Sequence, residues 1–211
     1  MKIQLNHDKF WGAGDSKQDY KTTLLANKMV YASANPKMPK PRDLNGFKIL
    51  PQYSDDELLF FVDHPQKELL IVSRGSVTQT DWKITDTALV LGLITWSKRY
   101  NDNLKKIKEV YSKFKGYSIL FTGHSLGGNL AHNFYEEFKK KGIKTEVIMF
   151  NRGTSPLDPL IKPNEQRDPN KIQYTFKDDK LAEAFLKDKS TKHVVKESPH
   201  KTNKHSIWLH R

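Results

Sequence analysis

Ile119-Leu120-Phe121-Thr122-Gly123-His124-Ser125-Leu126-Gly127-Gly128-Asn129-Leu130-Ala131 is the stretch that decides how this chain folds. It opens as a short apolar run and passes through Gly-x-Ser-x-Gly at residues 123–127. It then takes up helical spacing, with Leu130, Ala131, Phe134 and Phe138 on one face. Gly-x-Ser-x-Gly alone is a weak signal, because chance matches are common. Here a strand runs straight in and an amphipathic helix runs straight out, which is the context that makes the pattern a tight strand-to-helix turn with Ser125 at its tip. The glycines have a steric reason: positions beside the serine must lack side chains so that strand and helix can approach. The turn also heads a helix, whose first N–H groups can stabilise a developing oxyanion; the Leu126 N–H is the expected donor.

Working outward, the same rhythm repeats. Residues 17–34 have helical spacing, and Pro36, Pro39 and Pro41 then enforce a loop. Apolar runs at residues 47–53, 57–62 and 68–73 are separated by turn-like breaks and read as a strand meander. Residues 101–115 and 126–141 read as helices closed by Gly116 and Gly142. Residues 118–122, 146–150 and 171–176 read as strands, and residues 181–186 as a short helix. Strands and helices alternate from residue 68 to 186, which predicts an α/β fold: a mixed, mostly parallel central sheet flanked by helices. In such sheets, ligands gather at the carboxyl ends of the strands.

About 50 residues upstream of the serine, residues 69–76 form a strand ending in Arg74-Gly75-Ser76. A second oxyanion donor is expected from such a strand-end loop, and Ser76 offers both an N–H and a hydroxyl. The plainer reading of Arg74-Gly75-Ser76 is a turn.

Gly-His-Ser-Leu-Gly-Gly, preceded by Arg-Gly-Ser and then by Asp81-Trp82 and Asp86, resembles the class 3 lipases, the triacylglycerol lipase and phospholipase A1 group. The resemblance covers roughly residues 20–209. It implies an α/β-hydrolase fold over one domain, residues 1–211, with a Ser-Asp-His triad in that chain order, no cofactor, and a lid over the site. The implied reaction is hydrolysis of a carboxylic ester of a lipid, an acylglycerol or phospholipid, through an acyl-enzyme.

A serine hydroxyl needs a histidine base, itself held by a carboxylate. Both should follow Ser125 on loops at strand ends. The family's acid follows the strand at 171–176, which favours Asp179, with Asp178 next and Asp158 a distant third; any one of them could instead cap a helix. The late histidine before a short apolar segment in the family matches His205 best, then His200; His193 precedes two valines and reads as a strand residue. His124, inside the turn, is expected to brace it rather than act as base. The apolar segment 85–96 stands where the family's lid arises, and its alternative is a core helix.

Composition bounds the rest. The chain has 211 residues and no cysteine, so disulfides, zinc-thiolate sites and thiol nucleophiles are excluded. Residues 1–14 lack a signal-peptide core, and the longest strongly apolar stretch falls well short of the ~18 residues a membrane span needs. These features predict an intracellular or virus-encoded protein with no membrane span. The net charge of +12 favours anionic partners, including a peripheral contact with an anionic lipid surface. The lysines are spread through the chain without the interleaved aromatic stripe of a nucleic-acid binder, so no specific nucleic acid is expected. A catalytically degenerate protein that keeps the hydrolase fold for binding or structure is the alternative reading. A small-ester esterase or thioesterase is the alternative within the enzymes.

Overall fold

The computed structural model describes residues 17–33, 42–75, 98–152, 167–177 and 190–196. Helix α1 (Lys17–Ser33) is followed by strands β1 (Lys48–Ile49), β2 (Leu58–Asp63) and β3 (Glu68–Ser73). Then come α2 (Lys98–Lys113), β4 (Ser118–His124), α3 (Leu126–Lys139), β5 (Thr145–Phe150), β6 (Lys171–Phe176) and β7 (Lys192–Lys196). The strands form one seven-stranded sheet in sequential order, β1 to β7. The first three are antiparallel neighbours, and every pair from β3 to β7 is parallel.

The apolar runs of β2 through β5 explain why they lie inside. Each is buried along almost its whole length, as strands must be when both sheet faces are covered. Alternation divides their side chains between two cores. Leu58, Phe60, Val62, Leu69, Ile71, Ile119, Phe121, Val147 and Met149 pack against α2 and α3, chiefly through Ile107, Val110, Leu130, Ala131, Phe134 and Phe138. Leu59, Phe61, Leu70, Val72, Leu120, Ile148 and Phe150 pack on the other face against Tyr20, Leu24, Ala26 and Val30 of α1. Right-handed crossovers between strands added in one direction place their helices on one face. This accounts for α2 and α3 sharing a side, and leaves the opposite face to α1, which precedes the sheet. Gly116 and Gly142, at φ +86° and +72°, end the two crossover helices in the left-handed region as expected.

One element differs from the sequence reading, and a second is buried more deeply than its polar residues suggest. The run at residues 47–53 yields only the two-residue β1, because residues 51–53 turn back: Tyr53 N–H donates to the Leu50 carbonyl. Strand β6 spans the expected residues and alternates polar with apolar, yet its polar half is not in solvent. Lys171, Gln173 and Thr175 are buried, with Lys171 ion-paired to Glu136 on α3 and Gln173 donating to Thr175 Oγ1 at 3.0 Å.

At the amino end of β6, Asp168 accepts from the Tyr135 hydroxyl and from Lys139 Nζ, both at 2.5 Å, and from the Asn170 N–H at 3.0 Å. Burial alone would raise this carboxyl. The three donors outweigh it and hold Asp168 below its ordinary value of 3.8. A carboxylate depressed in the folded state contributes stability above its unfolded pKa and loses it as pH falls through the folded one. Asp168→Asn is therefore expected to cost stability at pH 6 and progressively less below about pH 4. Urea midpoints of the two proteins should converge on acidification; a constant gap would show that the charge is not what matters.

Candidate active site

Strand β4 delivers the chain to the carboxyl edge of the sheet, and Ser125 sits between its last residue and the first residue of α3. The Ser125 backbone lies at φ 56°, ψ −127°, a region that L-residues rarely occupy. The surroundings hold it there. The Ser125 N–H donates to the Phe150 carbonyl at the end of β5 (3.1 Å), and the Ser125 carbonyl accepts from the N–H groups of Gly128 (2.9 Å) and Asn129 (3.3 Å). From residue 119 to 132 every residue is buried except Ser125, which keeps partial exposure. The turn thus presents one hydroxyl from an otherwise enclosed segment.

The glycines are required by backbone crowding. A Cβ on Gly123 would lie closer than 3.0 Å to the backbone of Gly127 and Gly128. A Cβ on Gly127 would strike the backbone of Ser73 and Arg74. The amino end of α3 is therefore pressed backbone to backbone against the end of β3. Leu126 is the first residue of this helix, where N–H groups have no intrahelical acceptor.

The β3 end is itself fixed. The Arg74 N–H donates to the Glu57 carbonyl at 2.9 Å, and its buried guanidinium lies 3.3 Å from Asp56. Arg99 of α2 donates to the Arg74 carbonyl at 2.7 Å and lies 3.4 Å from Glu57. Gly75 then reaches the carbonyl of His124 and the hydroxyl of Tyr31. His124 is buried, with its Nδ1 2.9 Å from that hydroxyl, so the ring is turned toward α1 as a brace. A second tie joins the same elements: Asn27 donates to Thr122 Oγ1 at 2.8 Å, and Thr122 donates to the Ile148 carbonyl at 2.7 Å.

Of the residues singled out from sequence, Ser125, Leu126 and the Arg74-Gly75 turn come together here. His193 lies on β7, three strands from β4 and roughly 14 Å to the side at ordinary strand spacing. Ser76, Asp81, Trp82, Asp86, segment 85–96, Asp158, Asp178, Asp179, His200, His205, His210 and the expected helix at 181–186 lie outside the described residues. Among the described residues no cluster of His, Asp or Glu is arranged to hold a metal ion. No described helix is long and apolar enough to cross a membrane. Tyr31 was not marked by the sequence. It falls next to Val30 on α1, and helical spacing gives no hint that its hydroxyl reaches a turn some 90 residues on.

The family model for class 3 lipases matches residues 71–155, from within β3 through the serine turn and past β5. Over that stretch the chain is similar to the class 3 lipases. The seven-stranded mixed sheet is an α/β-hydrolase sheet. Solved lipase structures share this fold. Lip2 lipase of Yarrowia lipolytica is 21% identical with a TM-score of 0.52, the match covering 77% of this chain and 72% of that one. An MDLA mutant from Penicillium cyclopium is 18% identical with a TM-score of 0.57, covering 95% and 87%. The mono- and diacylglycerol lipase of Aspergillus oryzae is 19% identical with a TM-score of 0.52, covering 93% and 85%. No curated protein matches the chain.

Proposed function

We propose that this chain is a class 3 lipase that cleaves lipid esters, acylglycerols or phospholipids, with Ser125 as nucleophile, Asp179 as acid and His205 as base. The observation that carries the reading is the strained, partly exposed Ser125 at the head of α3, enclosed by glycines that admit no side chain. Strain of this kind persists only where the surroundings over-determine it, and it clusters at sites of chemistry. Parallel pairing also supports the acid assignment. Strand β6 runs alongside β5 in the same direction as β4, so the residues following Phe176 leave the sheet at the edge where Ser125 stands.

In the proposed reaction the Ser125 hydroxyl attacks the ester carbonyl carbon while His205 takes its proton. The resulting oxyanion is met by the N–H groups of Leu126 and Ser76. Collapse breaks the bond to the alcohol, which leaves with the proton held by His205, and an acyl-Ser125 remains. Water, deprotonated by the same base, adds to the acyl carbon and releases the acid and the serine. Asp179 holds the imidazole in the tautomer that can accept. No step draws on a metal or cofactor. The segment 85–96 is the proposed cover of the acyl site, and the net charge of +12 suits an anionic lipid surface.

The test is labelling with a fluorophosphonate probe, with and without detergent micelles, against Ser125→Ala. Labelling of the native chain that disappears in the variant is the expected result. A well-folded native chain that stays unlabelled under both conditions would overturn the assignment in favour of a degenerate hydrolase fold.

A further inference from the structure

Three chain segments far apart in sequence meet at one phenol. The Tyr31 hydroxyl, on the last turn of α1, lies 2.9 Å from Nδ1 of His124, the residue before Ser125. The Gly75 N–H donates to the same hydroxyl oxygen, so close that a Cβ on Gly75 would overlap it. Gly75 is one peptide bond from Ser76, and His124 is two residues from Leu126. The two proposed oxyanion donors thus sit one and two residues from groups held by a single side chain. While the oxygen accepts from Gly75, its own proton is available to His124 Nδ1, which accepts it when the imidazole carries its proton on Nε2. Burial pushes the phenol well above its ordinary value, so it stays neutral and keeps that proton across the working range. The two rings also meet edge to face, with centroids 5.6 Å apart.

Nothing else in α1 needs a hydroxyl here. Packing of the helix on the sheet is carried by Tyr20, Leu24, Ala26 and Val30, and its polar tie by Asn27 and Thr122. A phenylalanine would fill the same space as the Tyr31 ring.

We propose that Tyr31 is a positioning residue that sets the spacing between the two halves of the oxyanion hole, by bridging the Gly75 N–H to the His124 imidazole. It touches no reacting atom and acts through the backbone on either side. The inference rests on the catalytic reading above. It assigns α1 a part in transition-state stabilisation that the serine motif alone does not reveal. Oxyanion donors work only when they are held within a few tenths of an ångström of the right place, so loosening the bridge should weaken binding of the tetrahedral intermediate and spare binding of the planar ester.

The experiment uses the full chain and a water-soluble p-nitrophenyl ester. Tyr31→Phe is expected to lower kcat by about 10- to 100-fold with KM within about twofold. Its affinity for a boronic acid, which forms a tetrahedral adduct on the serine, should fall by a similar factor. His124→Ala should show the same loss, and His124→Asn, whose side-chain oxygen replaces Nδ1 as acceptor, should restore most of it. The Tyr31→Phe/His124→Ala pair should lose no more than the worse single variant, because both cut one bridge. A Tyr31→Phe chain with native kcat and native boronate affinity overturns the proposal. Should that variant fail to fold, the His124 pair decides: equal kcat in His124→Ala and the native chain overturns it as well. A native chain with no turnover sinks the catalytic reading itself, before any variant is compared.

Discussion

Ser125→Gly is expected to abolish ester hydrolysis and, at the same time, to make the protein more stable. Loss of the proposed nucleophile should lower kcat by about 10⁴- to 10⁶-fold, the residue of activity coming from the oxyanion donors alone. The gain in stability follows from the backbone. A residue with a Cβ at φ 56°, ψ −127° carries strain of about 1–3 kcal/mol, and glycine carries little of it. Against this, glycine adds about 0.5–1 kcal/mol of unfolded-chain entropy. A net gain of about 1 kcal/mol remains, equivalent to a melting temperature about 2–4 °C higher for a chain of this size. Ser125→Ala separates the two effects, because it loses the hydroxyl and keeps the Cβ: it should be as inactive as the glycine variant and no more stable than the native chain. Hydrolysis surviving in both variants would remove Ser125 from the chemistry. A glycine variant that melts below the alanine variant would show that the turn is not strained.

The parts of this architecture visible in the sequence are those set by local patterns. The near-continuous apolar runs of β2, β3, β4 and β5 announce strands covered on both faces, and Gly116 and Gly142 mark where the crossover helices stop. The serine turn is legible for the same reason, since its glycines answer to crowding within a few residues. Gly127 already shows where this stops: its obstacle is the Ser73–Arg74 backbone, some 50 residues away. Strand β6 misleads in a related way. Its alternation suggests a solvent face, but Lys171 is buried because Glu136, on a helix laid down earlier, supplies the opposite charge. Tyr31 was invisible because a tyrosine at a helix end has no pattern to break. The choice between Asp178 and Asp179, or between His200 and His205, is open from spacing alone for the same reason: the distance to Ser125 is set by how long loops return, which periodicity does not encode.

The glycines of the turn supply the second large effect, and they should not behave alike. Gly123→Ala and Gly127→Ala each drive a Cβ into backbone atoms closer than 3.0 Å, of residues 127–128 in the first case and of residues 73–74 in the second. Backbone held by sheet pairing and helix hydrogen bonds cannot retreat as the tip of a side chain can. Each substitution is therefore expected to cost more than about 3 kcal/mol, lowering the melting temperature by roughly 6–12 °C or preventing folding. Gly128 differs. Its nearest neighbours would be the Gly123 carbonyl oxygen at 3.1 Å and Arg152 atoms at 3.3 Å, a crowding that a shift of a few tenths of an ångström relieves. The helix also gains about 1 kcal/mol when alanine replaces glycine, so Gly128→Ala should fall close to neutral. Gly116→Ala gives a measure of backbone strain without crowding: its Cβ would meet nothing within 4 Å, and φ +86° alone should cost about 1–2 kcal/mol. Thermal melts of the four variants should rank Gly128, Gly116, then Gly123 and Gly127 together, from mildest to most severe. Activity measured well below the melting transition should follow a different order. Gly116→Ala should keep full turnover because it lies at the far end of β4. Any folded Gly123→Ala or Gly127→Ala should lose it, since relieving either clash means moving α3 away from β3 and so moving the Leu126 N–H. A Gly127→Ala protein that melts with Gly128→Ala and hydrolyses esters at the native rate would mean that helix and strand do not need to touch for the site to work.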